Sequence, residues 1–300
     1  MADVSIQTRK AAAGLAWVQA GLRLFARRPL VIVVLVAFGP LLNWTIGLLP
    51  VVGTAFALIL FPTISLGMLA VCRAVDEGAM PGLSSYLAVL RDPVARWELL
   101  KIGVYYALVI GVLVTLWSLL PGDGGAPATT NPPAPSVPSP RADGVPAPTN
   151  PATGTPALEP QAPDLALTPL RIAMLLTAIA ILVPLQMTIW FAPALVAWHR
   201  MPATKSLFYS FFACWRNRAP MVVYLLALFG LACIAVLAFA ALVGLLNAKD
   251  GLAQFLLAPP PLLLLAITQT STLAMYRDVV ADVSSAPDEQ TPSQSSSAGA

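Results

Sequence analysis

The chain has 300 residues, of which 58% are hydrophobic and only 10% are charged, and its formal net charge at pH 7 is +3. Soluble domains carry about 25% charged residues, so this composition excludes a soluble globular protein and favours one embedded in a membrane. So small a net charge also gives no reason to expect nucleic acid as a partner.

Six apolar segments are long enough to cross a bilayer, which takes about 20 mostly apolar residues. They cover residues 30–48, 51–72, 99–120, 170–198, 220–246 and 255–276. Mixed sequence of roughly thirty residues precedes the first of them, so we expect a retained N-terminus instead of a cleaved signal peptide. The sequence therefore predicts an all-α, polytopic membrane protein with six transmembrane helices.

Three amphipathic segments, residues 10–28, 82–92 and 203–216, precede the first, third and fifth spans, and we call them the collar. Helices of this kind lie in the plane of the membrane interface. Each is followed by arginine and proline, as in LFARRP, and proline suits the turn into a spanning helix because it fits the first helical turn. The spans thus form three repeated units, each an interfacial helix followed by a transmembrane hairpin.

The faces of the first and last collar segments follow from their periodicity. In the first, Leu15, Val18, Leu22 and Phe25 share one face. In the last, the predicted apolar stripe consists of Leu207, Phe208, Phe211 and Trp215. We expect these faces to contact the membrane.

The basic residues predict the orientation. Fourteen lysines and arginines fall on the collar side of the six spans, and three fall on the other side, namely Arg141, Arg171 and Lys249. By the positive-inside rule, the collar and both termini lie in the cytoplasm of a bacterial inner membrane. The Pro/Ala-rich segment 121–168 is then an extracytoplasmic loop, and its composition predicts disorder, as does that of the tail at 281–300.

Arginines at the collar corners are candidates for contact with anionic lipids: Arg27, Arg28, Arg216 and Arg218. Their main predicted role is to set the depth of each corner, since an arginine costs roughly 2.5–3.5 kcal/mol at the bilayer centre. Membrane lipids are therefore predicted partners of the chain.

Few polar residues lie within the predicted spans, and the densest group is TQTST at 268–272. The candidate polar seam consists of Gln186, Thr268, Gln269 and Thr272. Such a seam either provides hydrogen bonds between helices or contacts a solute. On the third span, small residues recur four apart and would admit a close helix neighbour, either within the chain or in a homo-oligomer: Gly103, Ala107 and Gly111.

Catalytic chemistry is poorly represented. His199 is the single histidine, so neither a histidine metal cluster nor a histidine-based triad can form within one chain. Asp76 and Glu77 are adjacent acids that could act as an acid/base pair, but Arg73 lies at a helical salt-bridge spacing from Asp76, which favours a structural role. We predict no catalytic residue, no cofactor and no metal, and hence a protein that is not an enzyme.

The motifs WVQAGLRLFARRPL, FPTISLGMLAVCRAVDEG and FAPALVAWHRMPATKSLFYSFFACWRNRAPM resemble those of a family of uncharacterised proteobacterial inner-membrane proteins. More distantly, the chain is similar to the six-helix membrane domain attached to some glycerophosphodiester phosphodiesterases. The resemblance covers residues 1–120 and 170–280. It implies an α-helical inner-membrane protein and brings no active-site residues with it.

Three functions remain open at this point. The first is a scaffold, assembly or regulatory protein that binds a protein partner at the cytoplasmic face through the collar. The alternative is a transporter or channel for a neutral or amphipathic solute, which would use the polar seam. The third is a lipid-modifying enzyme that would use Asp76 and Glu77.

Overall fold

The computed structural model of the chain describes residues 4–50, 52–118, 169–246, 251–252 and 258–282. The predicted loop at 121–168 lies outside these residues, and so does the predicted tail beyond residue 282. The chain divides into two compact units, Met1–Val112 with Ala180–Ala300, and Leu113–Ile179. In the second unit, the structure describes the end of one helix and the beginning of the next.

The described chain is almost entirely helical. A short 3₁₀ turn, Val89–Arg91, follows the fourth helix. The elements are, in order, β1 (Val4–Ile6), α1 (Ala13–Arg27), α2 (Pro29–Gly47), α3 (Gly53–Asp76), α4 (Ser84–Ala88), α5 (Pro93–Ser118), α6 (Pro169–Ile189), α7 (Ala192–His199), α8 (Ala203–Arg216), α9 (Arg218–Leu245), α10 (Pro259–Val279) and β2 (Val280–Asp282).

Five helical segments of the described chain are long and apolar enough to cross a membrane. They are Pro29–Gly47, Gly53–Asp76, Pro93–Leu116, Leu175–His199 and Arg218–Leu245. The predicted class of α-helical membrane protein is thus confirmed. The predicted sixth span, 255–276, corresponds to α10, which is not among the five because the TQTST sequence dilutes its apolar character.

Helix α10 is packed by protein on several sides. It contacts α1, α2, α3 and α9. Its buried side chains include three polar ones, Gln269, Thr270 and Ser271, along with apolar ones such as Leu273 and Met275. A polar side chain is costly in lipid and finds hydrogen-bond partners inside protein, so the least apolar of the long helices lies within the helix packing.

Helix α1 packs against α9 and α10 through a face that apolar periodicity does not identify. Leu15 and Leu22 are 49% and 37% exposed, whereas the buried residues are Gly14, Trp17, Val18, Gly21 and Leu24. The reason is the close approach of backbones at the glycines. A Cβ atom on Gly21 would lie 2.6 Å from the backbone nitrogen of Ser271. Periodicity based on apolar side chains gives glycine no weight, so it does not predict this second, buried face, while Leu15 and Leu22 of the predicted membrane face remain exposed.

The second collar segment is shorter than the predicted helix at 82–92, because α4 has only five residues before the 3₁₀ turn. Tyr86 anchors it. The ring of Tyr86 packs on Gly67 of α3, and its hydroxyl donates a hydrogen bond to the carbonyl oxygen of Leu35 in α2 at 2.6 Å. Burial raises the pKa of the Tyr86 phenol, so this donor keeps its proton throughout the physiological range.

A two-stranded antiparallel ribbon, absent from the prediction, joins the two ends of the described chain. β1 pairs with β2 in the register Val4↔Asp282, Ser5↔Ala281 and Ile6↔Val280. Residues 281 and 282 were predicted to belong to a disordered tail, and for these two residues the prediction is wrong. Three-residue strands are too short to produce a periodic signal. The ribbon places the start of the chain beside the end of α10.

Close packing at Gly21 leads to a first prediction. Gly21→Ala should lower the free energy of unfolding by about 1–3 kcal/mol, the usual cost of overpacking. The matched control is Gly230→Ala on α9, where a Cβ atom meets nothing within 4 Å and alanine favours the helix. Thermal unfolding of the detergent-purified variants measures the difference. Equal midpoints for the two variants would contradict the described contact between α1 and α10.

Candidate functional site

Charged side chains from α1, α3 and α10 meet at one end of these helices. Asp76 accepts from Arg27 Nη1 at 3.2 Å and contacts Arg277 Nη1. Arg73 Nε donates to Glu77 Oε1 at 2.7 Å, one helical turn away. We call these five residues the charged end. The predicted pairing of Arg73 with Asp76 is replaced by the pairing with Glu77.

These ion pairs bear on the acid/base hypothesis. Both carboxylates of the charged end are ion-paired with arginines, which is the arrangement expected of a structural role. The pairs are partly exposed, and such pairs contribute only about 0–1 kcal/mol each. The two pairs of Asp76 connect the end of α3 to α1 and to α10.

A cavity of about 230 Å³ lies beside the charged end. The guanidinium of Arg73 lies 4.8 Å from the ring centroid of Trp198. That ring meets Tyr276 edge-on, with 4.9 Å between the centroids. The residues that line the cavity are Arg73, Trp198, His199, Tyr276, Arg277 and Val280.

A second cavity, of about 290 Å³, lies between α1 and α10. Arg277 lines both cavities. The second is lined by Arg23 and Arg27 from α1 and by apolar residues of α10, including Leu273. Arg27, a predicted anionic-lipid contact, is therefore ion-paired with Asp76 and also faces this cavity.

The N-terminal segment is fastened to the end of α10 through Asp278. The Asp278 carboxylate accepts from Arg9 Nη2 at 2.9 Å and from the Trp17 indole nitrogen at 2.8 Å. The guanidinium of Arg9 also donates to the backbone carbonyl of Asp278. Together with the ribbon, these contacts hold α1 beside α10.

Asn217, at the corner between α8 and α9, was not singled out from the sequence. It is 1% exposed. Its side-chain oxygen accepts from the backbone N–H of Arg9 at 2.8 Å, and its side-chain nitrogen donates to the carbonyls of Gln7 and Ala213 at 2.9 Å. These hydrogen bonds connect the N-terminal segment to the corner between α8 and α9. The only sequence signal was an asparagine between two arginines in RNRAP, which periodicity does not interpret.

Helix α8 packs through its small and polar face. Its buried residues are Ala203, Ser206, Ser210, Ala213 and Cys214. The aromatic face is exposed, with Phe208 59% and Trp215 53% accessible. Burial raises the pKa of the Cys214 thiol to about 12, which keeps it protonated and unreactive. An exposed aromatic face with basic residues nearby is typical of a helix in a membrane interface.

The predicted lipid contacts at two corners remain on the surface. Arg216 and Arg218 are both exposed, and the guanidinium of Arg218 lies 5.9 Å from the Trp215 ring centroid. Arg28, at the first corner, contacts the sulfur of Met80. No finding tests whether any of these arginines binds lipid, so that assignment stays a prediction.

Ser210 forms hydrogen bonds with backbone groups where the helix of the fourth predicted span is interrupted. The helix is interrupted between α6 and α7, where Pro193 contributes no N–H. The N–H of Phe191 donates to Ser210 Oγ at 2.9 Å, and that hydroxyl donates to the carbonyl of Met187 at 2.8 Å. A buried hydroxyl from α8 thus satisfies backbone groups that the break would leave unpaired.

The candidate polar seam is only partly assembled. Gln269 is buried, with its amide nitrogen 4.0 Å from the sulfur of Met68, and Thr268 and Thr272 are half-buried. The missed partner is Tyr224 of α9, whose hydroxyl lies 3.0 Å from Ser271 Oγ. Gln186 is exposed on α6, and none of its described hydrogen bonds reaches these residues.

The small-residue stripe on α5 is closely packed at one end and open at the other. Gly103 lies directly against the backbone of Ile59 in α3, so it is used for packing within the chain. A Cβ atom on Gly111 would meet nothing within 4 Å. No finding tests a homo-oligomer through Ala107 or its neighbours.

Among the described residues, no group of three His, Cys, Asp or Glu side chains could hold a metal ion.

The buried Asn217 leads to a second prediction. Asn217→Ala would leave the Arg9 amide and the Gln7 carbonyl without their partner, at a cost of about 1–3 kcal/mol. Hydrogen exchange should then accelerate in residues 4–10 and 280–282. The control is Gln7→Ala, which keeps the backbone carbonyl and removes only an exposed hydrogen bond to Ser5. The same exchange rates in both variants would argue against the Asn217 contacts.

Comparisons with known proteins identify a relative along most of the chain. No family model and no solved structure matches it. A Burkholderia thailandensis protein named as a probable inner membrane protein is 32% identical over 272 residues, which cover 88% of this chain and 89% of the relative. Nothing in these comparisons supports the more distant likeness to the membrane domain of phosphodiesterases. The chain belongs to the family of this probable inner membrane protein.

Proposed function

We propose that this chain is a non-enzymatic protein of the bacterial inner membrane that crosses it six times. We further propose that it acts as a scaffold, assembly or regulatory protein through its collar, which faces the cytoplasm together with both termini. The inner-membrane location is supported by the name of the Burkholderia relative and by the five apolar helices.

The β1–β2 ribbon supports an even number of crossings. Its two strands precede α1 and follow α10, and they pair residue by residue. Five crossings would separate the strands by the thickness of a bilayer, roughly 30 Å. A sixth crossing by α10 removes this conflict. Because Gln269, Thr270 and Ser271 are buried in protein, such a crossing would not expose their polar groups to lipid.

The collar carries the proposal of a scaffold, because polar contacts fasten its ends to neighbouring segments and join those segments to one another. Glu98 of α5 accepts from the backbone N–H of Ala203 at the start of α8, at 2.7 Å. Arg200 pairs with Asp92 at 3.2 Å. Asn217 adds the contacts to the N-terminal segment. A cross-linked surface of this kind can present a fixed shape to a protein partner.

The orientation leads to a third prediction. Cytoplasmic reporters fused after residues 85, 210 and 300 should be active, and one fused after residue 145 should be inactive, since fourteen of the seventeen basic residues lie on the predicted inner side. A periplasmic reporter should give the opposite pattern. A periplasmic signal at 85 or 210 would overturn the orientation.

The scaffold hypothesis has its own experiment. A photo-cross-linking amino acid is placed at Thr204 or Arg96, both exposed on the collar side. The control position is Leu237, which is 68% exposed in the middle of α9. Irradiation of native membranes should link the collar positions to one discrete protein and the control position to lipid. If neither collar position yields a protein adduct, a protein partner at the collar is excluded.

The alternative is a transporter or channel for a neutral or amphipathic solute, and the buried polar residues of α10 favour it. The solute would have to pass along α10 beside Gln269 and Thr272. Solute flux into reconstituted vesicles should then fall in Gln269→Leu and remain in Gln186→Leu, whose side chain is exposed. Equal flux in both variants would remove this alternative.

A further inference from the structure

We propose that the cavity lined by Arg73, Trp198, His199, Tyr276 and Arg277 binds a phosphate ester, either in the headgroup of an anionic lipid or in a small soluble molecule. The site differs from the corner arginines predicted from the sequence. It would exist whether the protein acts as a scaffold or as a transporter.

Arg73 is held in place by two contacts. Its Nε donates to Glu77, and its guanidinium lies over the Trp198 ring. Among the described residues, these are the hydrogen bond and the aromatic contact of this guanidinium. Arginine presents five donors in a planar fork that matches phosphate oxygens, so a guanidinium fixed through Nε and its face still has Nη donors for a ligand.

The charge around the cavity favours an anion. Three arginines of the charged end, Arg27, Arg73 and Arg277, face only two carboxylates, Asp76 and Glu77. The second Arg277 nitrogen is 3.9 Å from Glu77. None of the described residues that line the cavity is acidic. An anion between Arg73 and Arg277 would balance the remaining positive charge.

The size and the aromatic walls fit a phosphate ester. The cavity of about 230 Å³ exceeds the few tens of Å³ that one water molecule occupies. Trp198 and Tyr276 form its apolar wall, and Val280 of the ribbon also lines it. Tryptophan and tyrosine are enriched at the level of lipid headgroups, so the cavity has the composition expected of a headgroup site.

The test uses the full chain purified in a neutral detergent. Binding of dioctanoyl phosphatidate, glycerol phosphate, inorganic phosphate and dioctanoyl phosphatidylcholine is followed by native mass spectrometry and by thermal stabilisation. We expect one saturable phosphatidate site. Arg73→Gln and Arg277→Gln should each weaken binding by about tenfold or more, because each removes charge-assisted hydrogen bonds.

The control is Arg96→Gln, which removes an exposed arginine outside the cavity that is not among the predicted lipid contacts, and it should leave the affinity nearly unchanged. Arg73→Lys should recover part of the affinity, since it keeps the charge and loses the fork. The side chain of Arg73 is 41% exposed, so Arg73→Gln and Arg73→Lys test the site even if Arg277→Gln fails to fold.

The outcomes separate the two sources of phosphate. Tighter binding of phosphatidate than of glycerol phosphate and inorganic phosphate supports a lipid headgroup, whereas equal binding supports a soluble ester. The proposal fails if none of the phosphate monoesters and no inorganic phosphate binds saturably. It also fails if phosphatidylcholine binds equally well, or if Arg96→Gln weakens binding as much as Arg73→Gln.

Discussion

The packing of α10 is the constraint on which the other contacts depend. This helix carries glutamine, threonine and serine side chains that need protein partners in a membrane. Gly21 lets the backbone of α1 approach Ser271, and Tyr224 of α9 supplies a hydroxyl to the same serine. The helix predicted to lie at the membrane interface is therefore also part of the helix packing, because the glycine face of α1 fits α10.

Local sequence properties predicted the helices well and their partners poorly. Long apolar runs predicted six spans, and five of them correspond to helices that are long and apolar enough to cross a membrane, since length and hydropathy are properties of the run itself. The buried face of α1 was missed because it depends on Gly14 and Gly21 meeting other backbones. The ribbon was missed because its strands have three residues each, and Asn217 was missed because its partners Gln7 and Arg9 lie more than 200 positions away in the sequence.

The arginines illustrate the same limit at the candidate site. Arg27 belongs to a recurring corner motif, which suggested a role in setting depth and contacting lipid. In the structure, Arg27 and Arg277 both form ion pairs with Asp76. Arg27 lies 49 positions from Asp76 in the sequence, and Arg277 lies 201 positions from it. Only the fold brings them together with Arg73 and Trp198. The cavity lies where α3, α7 and α10 meet, which the corner motif does not predict.

The most direct test of the account is whether the two ends of the chain lie on one face of the membrane. Ser5→Cys and Ala281→Cys, combined in a Cys233→Ala background, are treated with a short bis-maleimide in native membranes. We expect an intramolecular cross-link, because these residues are paired in the ribbon. We expect none when Ser5→Cys is combined with Leu246→Cys at the far end of α9. A cross-link in the second pair and none in the first would contradict the account.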